Sequence, residues 1–510
     1  MFLFVIWWKH FWQKIFKKLK KDPYLYLILA SIFLIGAFFR LYDFFDRLVI
    51  VGDCSREAQI ALYAAKNLQF PQIGPFAQAP FFFGPWWYWL LTLTYFLPLG
   101  LFAPWYLTTL FSFAFIFLMY FLGKEIGGRK LGLIVALFTA ISSAAINNYF
   151  FIWNPTIIPV LTSIVLILFF KNLEKKSTIL IFILGFVLGL STVIHFQSAL
   201  LLPIGLIAVV LLKKKIKNLL LLSIGIFIPF IPILIFDIRF NWFWTKSAFI
   251  YFIIDQPSVQ FPYRWLTYVF QFWPDLWTSV IGYNKATSFA LIFLVTIATL
   301  ISLKNFRLYK KYFLLALIVG VQVILYRYYK GPRQIYYVYF FHVPILLLTA
   351  WASLRIFTWN KVLGWVIIIS IVIFTSKTAL ETFTVNTITV KKVADFKNEI
   401  YNQVPSESYD IYGCKINSGA LSHPLGLFMF YENKNDLSGT KIGVCEIAGN
   451  IWWKPLSREE VTSGDWLNRS TEFVFKDNLE WWKEKPPITG GNFWEFVKRK
   501  LSPKCWPHCD

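Results

Sequence analysis

Apolar runs of 16 to 20 residues recur along more than two thirds of this chain, and no other feature restricts its fold so strongly. Residues 24–39 (YLYLILASIFLIGAFF), 131–146 and 218–236 are examples. About 20 such residues, at 1.5 Å rise each, match a hydrocarbon core of about 30 Å. Soluble core helices are rarely so uniformly apolar. The charged fraction agrees: it is 15% here, against about 25% in an ordinary soluble protein. The first run follows KHFWQKIFKKLKKD and has no small-residue cleavage site, so it reads as a retained span and not a removed signal peptide. The formal net charge of +23 does not point to nucleic acid, because the lysines sit in short clusters between apolar runs. Anionic membrane lipids are the partner that such clusters face.

The clusters also orient the chain. Segments 1–23, 123–130, 171–177, 213–218, 304–311 and 355–361 hold 22 Lys and Arg in 59 positions. The charged stretches between them, 40–103, 237–285 and 327–333, hold 11 in 120. That fourfold difference in density assigns the clusters to the cytoplasm. Eleven spans are then expected, near 24–42, 104–122, 131–148, 155–170, 178–194, 197–212, 219–236, 286–303, 312–328, 335–353 and 362–377. The N-terminus lies inside and everything after 379 outside. Segment 81–100 (FFFGPWWYWLLTLTYFLPLG) is apolar enough to span, yet a span there would invert every later cluster. Parity places it in the interface as part of a long first outer loop, 43–103. Its Gly84-Pro85 break and aromatic run suit a helix lying at headgroup depth. The expected architecture is an all-α polytopic membrane domain over 1–378, followed by a small extracytoplasmic α/β or β domain over 379–510. That domain carries Cys414, Cys445, Cys505 and Cys509, which suit two disulfides of unread connectivity. A zinc site at Cys505, His508 and Cys509 is the weaker alternative.

In this topology the unusual polar residues gather at one leaflet boundary. The first outer loop opens with VGDCSREAQ, where a helix puts Asp53 and Glu57 on one face with Arg56 beside them. A solvated helix start capped by Asp53 explains the same pattern. Asn154 ends the third span in an Asn-Pro turn. His195 and Gln197 sit at an outer hairpin, and Asp237, Arg239 and Asn241 follow the seventh span. After the ninth span come Arg327, Lys330 and Arg333, then Tyr336 and Tyr337. Three cations in seven residues on the outer side oppose the positive-inside bias, and a lipid phosphate at headgroup depth is their natural partner. Snorkelling side chains at span ends are the plainer account. Together the groups suit a reaction in which a lipid phosphate leaves and a hydroxyl or amine attacks. A carboxylate serves as general base and cations stabilise charge on the phosphate.

The order DCSRE, GPWWYW, GKEIGGRK, WNPT, HFQ and FDIRFNW resembles the C-type glycosyltransferase superfamily over roughly residues 1–380. Within it the likeness runs to the bacterial branch near protein O-mannosyltransferases and lipid A aminoarabinose transferases. The resemblance implies inverting transfer of a sugar from a polyprenyl-phosphate donor to a lipid, glycan or protein acceptor at the outer membrane face. It maps the first-loop aspartate onto Asp53, as base or acceptor-orienting group, with Glu57 as the second carboxylate. Arg56, Arg239, Arg327, Lys330 and Arg333 become candidates for the donor phosphate. Asn154, His195, Gln197, Asp237 and Tyr336 become candidates for the rest of the substrate. Relatives often carry an adjacent acidic pair, whereas Cys54 follows Asp53 here. Oligosaccharyltransferases of the superfamily bind a divalent metal through separated acidic motifs. WNPT stands where such a motif is expected, which favours chemistry without a metal or other cofactor. Two other readings use similar features: a transporter or flippase of lipid-linked sugars, and a lipid-linked glycan polymerase or ligase. The first typically shows inverted repeats and charges at mid-membrane, neither of which this sequence displays.

Overall fold

Gly127 and Gly128 interrupt what is otherwise one helix of 39 residues, Ala103–Ile141. Gly128 has φ 84° and ψ −177°, a conformation that a side chain strongly disfavours. The break lies in GKEIGGRK and divides the helix into the second and third expected spans. The computed structural model describes residues 22–77, 82–254, 263–329, 331, 333–383, 388–414, 421–436, 438–447, 450–462 and 466–467. Lys330, Cys505, His508 and Cys509 lie outside the described residues.

Among the described residues, seven helices are long and apolar enough to cross a membrane: Pro23–Leu41 (α1), Ala103–Ile141, Asn154–Lys175, Lys215–Arg239, Lys285–Asn305, Ile335–Trp359 and Lys361–Glu381. Thr178–Ile194 and Phe196–Leu211 are shorter apolar helices, and Lys310–Arg327 adds 18 residues with cations at both ends. Each of the eleven expected spans falls on one of these helical segments. Helical backbone satisfies its own polar groups, as a lipid environment requires.

Packing brings three of the lysine clusters, 123–130, 171–177 and 304–311, together. Lys311 pairs with Glu125 at 2.7 Å and Glu174 at 2.6 Å, and Arg129 pairs with Asp22 at 2.6 Å. Close helix contacts rest on glycine: a β-carbon at Gly185 or Gly189 would meet the carbonyl oxygen of Leu222 or Ile226 at 2.3 and 2.2 Å. In the last turn of α1, buried Arg40 donates to Ser112 Oγ and to the carbonyls of Gly36, Thr139, Ala140 and Ala145. It thereby serves carbonyls that the end of a helix leaves without partners.

Besides the single turn Phe44–Arg47, the first loop holds the helices α2 (Asp53–Asn67) and α3 (Trp86–Thr94) among the described residues. Nine residues reach about 13.5 Å, less than half a hydrocarbon core. α3 is therefore too short to span, in keeping with the parity argument. The C-terminal region contains helix α4 (Val390–Gln403), strand β1 (Tyr409–Cys414), helix α5 (Ser422–Tyr431), β2 (Thr440–Ile447), β3 (Asn450–Pro455) and β4 (Trp466–Leu467). The sheet order is β3-β2-β1-β4, with β1 and β2 parallel and joined through α5. Cys414 and Cys445, on those adjacent strands, form a disulfide. Cys54, by contrast, is buried and free.

Candidate active site

Gly52, not Asp53, caps α2. Its φ of 55° and ψ of −125° are open to glycine and strained for other residues. The alternative reading of Asp53 as the N-cap is thus corrected: Asp53 is the first residue of the helix. From there the helical repeat sets Asp53, Arg56 and Glu57 on one side. Arg56 pairs with Asp53 at 2.8 Å and Glu57 at 3.5 Å.

The two carboxylates differ in setting. Asp53 keeps 62% of its side chain exposed, whereas Glu57 keeps 2%. Trp87, on α3, donates its indole N–H to Glu57 Oε2 at 2.6 Å and shares it with the Ile152 carbonyl at 3.1 Å. Burial pushes the Glu57 carboxyl up to about 8, against the pull of Arg56 and Trp87. At neutral pH Glu57 is thus mostly protonated. A raised carboxyl favours the folded state below its ordinary value, 4.5, and that contribution is lost as pH climbs towards about 8. The melting temperature of the wild type in detergent should therefore fall relative to Glu57→Gln over that window and level off above it. Parallel melting curves for the two proteins across the window would place Glu57 at an ordinary pKa.

Asp53, Arg56 and Glu57 line one edge of a cavity of about 510 Å³. Asn154, His195 and Gln197 supply its polar floor. Asn154 donates its amide to the Ile194 carbonyl and so ties the start of one span to the end of another. His195 is buried, 2% exposed. Burial pushes it down to about 3, with the Tyr336 backbone acting the other way, so the ring is neutral. Gln197 hydrogen-bonds Tyr329 while its Oε1 has no partner among the described residues. Trp153, Tyr251, Tyr326, Tyr329, Tyr336 and Tyr337 form an aromatic wall. Trp153 and Tyr336 pack against each other in a tilted pair, ring centroids 5.1 Å apart.

Beside this wall stand three arginines. Arg327 lies between Tyr326 and Tyr328, both of which line the cavity. It is 8% exposed and its guanidinium rests 4.1 Å over Trp265. Arg264 donates to the Tyr329 carbonyl at 2.6 Å. Arg333 donates to Thr267 Oγ1 at 3.3 Å and to the Arg264 carbonyl at 3.2 Å. Burial, followed by Arg327, lowers the pKa of Arg264; burial, followed by Arg264 and Arg327, lowers that of Arg333. Among the described residues, neither Arg264 nor Arg327 has a carboxylate partner. An anion placed here would relieve the mutual repulsion.

The remaining expected site residues fall elsewhere. Asp237 accepts from the backbone N–H of Trp244 and Thr245 and from the Thr245 hydroxyl, so it serves the start of the short helix Phe243–Phe249. Arg239 reaches Gln72 at 3.5 Å, and neither it nor Asp237 lines the cavity. Arg56 is engaged with the two carboxylates rather than standing with the other arginines. Arg264 and Trp87 are additions that the sequence reading missed. Arg264 stands alone in its own segment and joins the group only through packing, while Trp87 is one of 23 tryptophans. The described residues hold no group of three or more His, Cys, Asp or Glu side chains arranged for a metal ion.

The chain shares its fold with solved structures of two other proteins. Solved structures with a similar fold include ArnT from Cupriavidus metallidurans in the apo state, at TM-score 0.55 and 11% identity, covering 84% of this chain and 93% of that one. The same protein bound to undecaprenyl phosphate aligns at TM-score 0.54 and 10% identity, covering 83% and 93%. The oligosaccharyltransferase of Archaeoglobus fulgidus aligns at TM-score 0.50 and 13% identity over 80% of this chain; the chain spans 64% of that protein's length. No family model matches the sequence. No curated protein matches it either.

Proposed function

We propose that this protein is a multi-pass membrane glycosyltransferase that moves a sugar from a polyprenyl-phosphate donor to an acceptor hydroxyl or amine at the outer membrane face, with inversion. One observation carries the reading: an exposed carboxylate borders a single cavity, and three clustered arginines adjoin it through the lining residues Tyr326, Tyr328 and Tyr329 without lining it themselves. Asp53 takes the proton from the acceptor as its oxygen or nitrogen attacks the anomeric carbon. The bond from that carbon to the phosphate oxygen breaks, and polyprenyl phosphate leaves with its new charge facing Arg264, Arg327 and Arg333. Arg56 holds the Asp53 carboxylate in an ion pair between turnovers. Asn154, His195, Gln197 and Tyr336 offer hydrogen bonds to the sugar, and the aromatic wall covers its apolar face. Lys330 follows in sequence as a further phosphate ligand. Undecaprenyl phosphate in the ArnT structure supports a polyprenyl carrier as donor. The uneven lysine density supports a cytoplasmic N-terminus and an extracytoplasmic C-terminal domain.

Purified protein supplied with a polyprenyl-phosphate sugar and an acceptor should release free polyprenyl phosphate in step with the glycosylated product. A flippase or transporter would move the donor between leaflets and leave it intact, and that outcome would overturn the reading. The sidedness has its own check in intact cells. Cysteines placed at position 90 should react with an impermeant reagent, and those at 214 should not.

A further inference from the structure

The C-terminal domain holds the catalytic helix at both ends. At the start of α2, His423 Nδ1 lies 2.9 Å from the carbonyl oxygen of Gly52. At the far end, Lys66 donates to the carbonyls of Phe430 and Tyr431, at 2.6 and 3.3 Å, and to Asn433 Oδ1 at 2.6 Å. Between them Tyr63 stacks on Phe430 at 5.9 Å. A β-carbon added to Gly426 would stand 3.6 Å from Gln59 Oε1, so α5 and α2 pass closely there.

The contact at Gly52 matters most, because Gly52 is the residue before Asp53. Its carbonyl already accepts the first backbone bond of the helix, from Arg56 N–H at 3.2 Å. The His423 ring supplies a second donor to the same oxygen. Glycine alone would let this peptide swing, since it lacks the side chain that restricts φ and ψ. With two donors on one oxygen, the peptide plane joining Gly52 to Asp53 is fixed, and so is the direction in which the exposed Asp53 carboxylate leaves the helix. His423 is 5% exposed, so water competes little for the bond.

We propose that His423 is a positioning residue for the reaction: through Gly52 it makes the C-terminal domain part of the catalytic apparatus by setting the aim of Asp53. The inference rests on Asp53 being the base. Three substitutions separate the bond from the fold. His423→Asn places an amide N–H close to where Nδ1 stands, His423→Gln carries its amide one bond too far, and His423→Leu has no donor. Turnover should drop about 10- to 100-fold in His423→Leu and His423→Gln with donor KM unchanged, as expected for a misaimed group. His423→Asn should recover most of it, with melting temperatures of Asn and Gln variants alike. Asp53→Asn is measured alongside. If it is inactive while His423→Leu and His423→Gln turn over normally, or if Asn fares no better than Gln, the positioning role is overturned. If Asp53→Asn itself stays active, the base assignment fails first.

Discussion

Asp53→Asn should lower turnover about 10²–10⁴-fold while leaving the protein folded and the donor bound. Asparagine keeps the shape of the side chain and its acceptor oxygen, so the change isolates one property, the capacity to take up a proton. The carboxylate is 62% exposed and forms an ion pair with Arg56 at 2.8 Å. Its loss removes a favourable charge from the first turn of a helix, worth about 0.3–1 kcal/mol, too little to unfold the chain. Glu57→Gln should cost much less, because Glu57 is buried and mostly protonated at neutral pH and glutamine imitates that state. The ordering is the test. Turnover, expression and melting temperature measured for both variants would reject the assignment if Asp53→Asn worked normally, or if Glu57→Gln were the more damaged of the two.

The membrane domain was legible because hydrophobicity is a local property. Runs such as 218–236 declare a helix without knowledge of any neighbour, and the lysine clusters punctuate them. Parity even decided segment 81–100, where apolarity alone suggests a span and α3 proves only nine residues long. The helix α2 was partly legible, since Asp53, Arg56 and Glu57 are related by the helical repeat. What the repeat could not reveal was their inequality. Glu57 is buried because Trp87 closes over it, and that contact joins positions 30 residues apart. Arg264 lies 63 positions before Arg327 in the chain and became part of the cationic group only through packing. Asp237 looked equivalent to the site residues by its location at a span end, yet the turn that follows uses it as a helix cap. His423 carried no signal at all, because its partner is a backbone carbonyl 371 residues away.

The arginine group is the second place where a large effect is expected. Burial, followed by the neighbouring guanidinium groups, lowers the pKa of Arg264 and Arg333, and Arg327 and Arg264, engaged by Trp265 and the Tyr329 carbonyl, have no carboxylate partner among the described residues. Gathering like charges in a half-buried site opposes folding, so an unused cluster is hard to account for, whereas a phosphate held between them offsets the repulsion. Arg327→Ala should cost about 2–4 kcal/mol of transition-state stabilisation, the range for a lost charge-stabilising donor. Arg327→Lys should remain impaired, because lysine offers a point charge where arginine offers a fork and a flat face to lay on Trp265. Arg264→Ala and Arg333→Lys should each reduce turnover in the same assay, and the free proteins should gain stability where repulsion is removed. Snorkelling cations that merely anchor span ends predict the reverse: lysine would serve as well as arginine, and melting temperature would fall with each alanine. Donor binding and turnover across the three positions decide between these. Normal binding and turnover in every variant would mean that another group holds the phosphate, with Arg56 and Arg239 next to be tested.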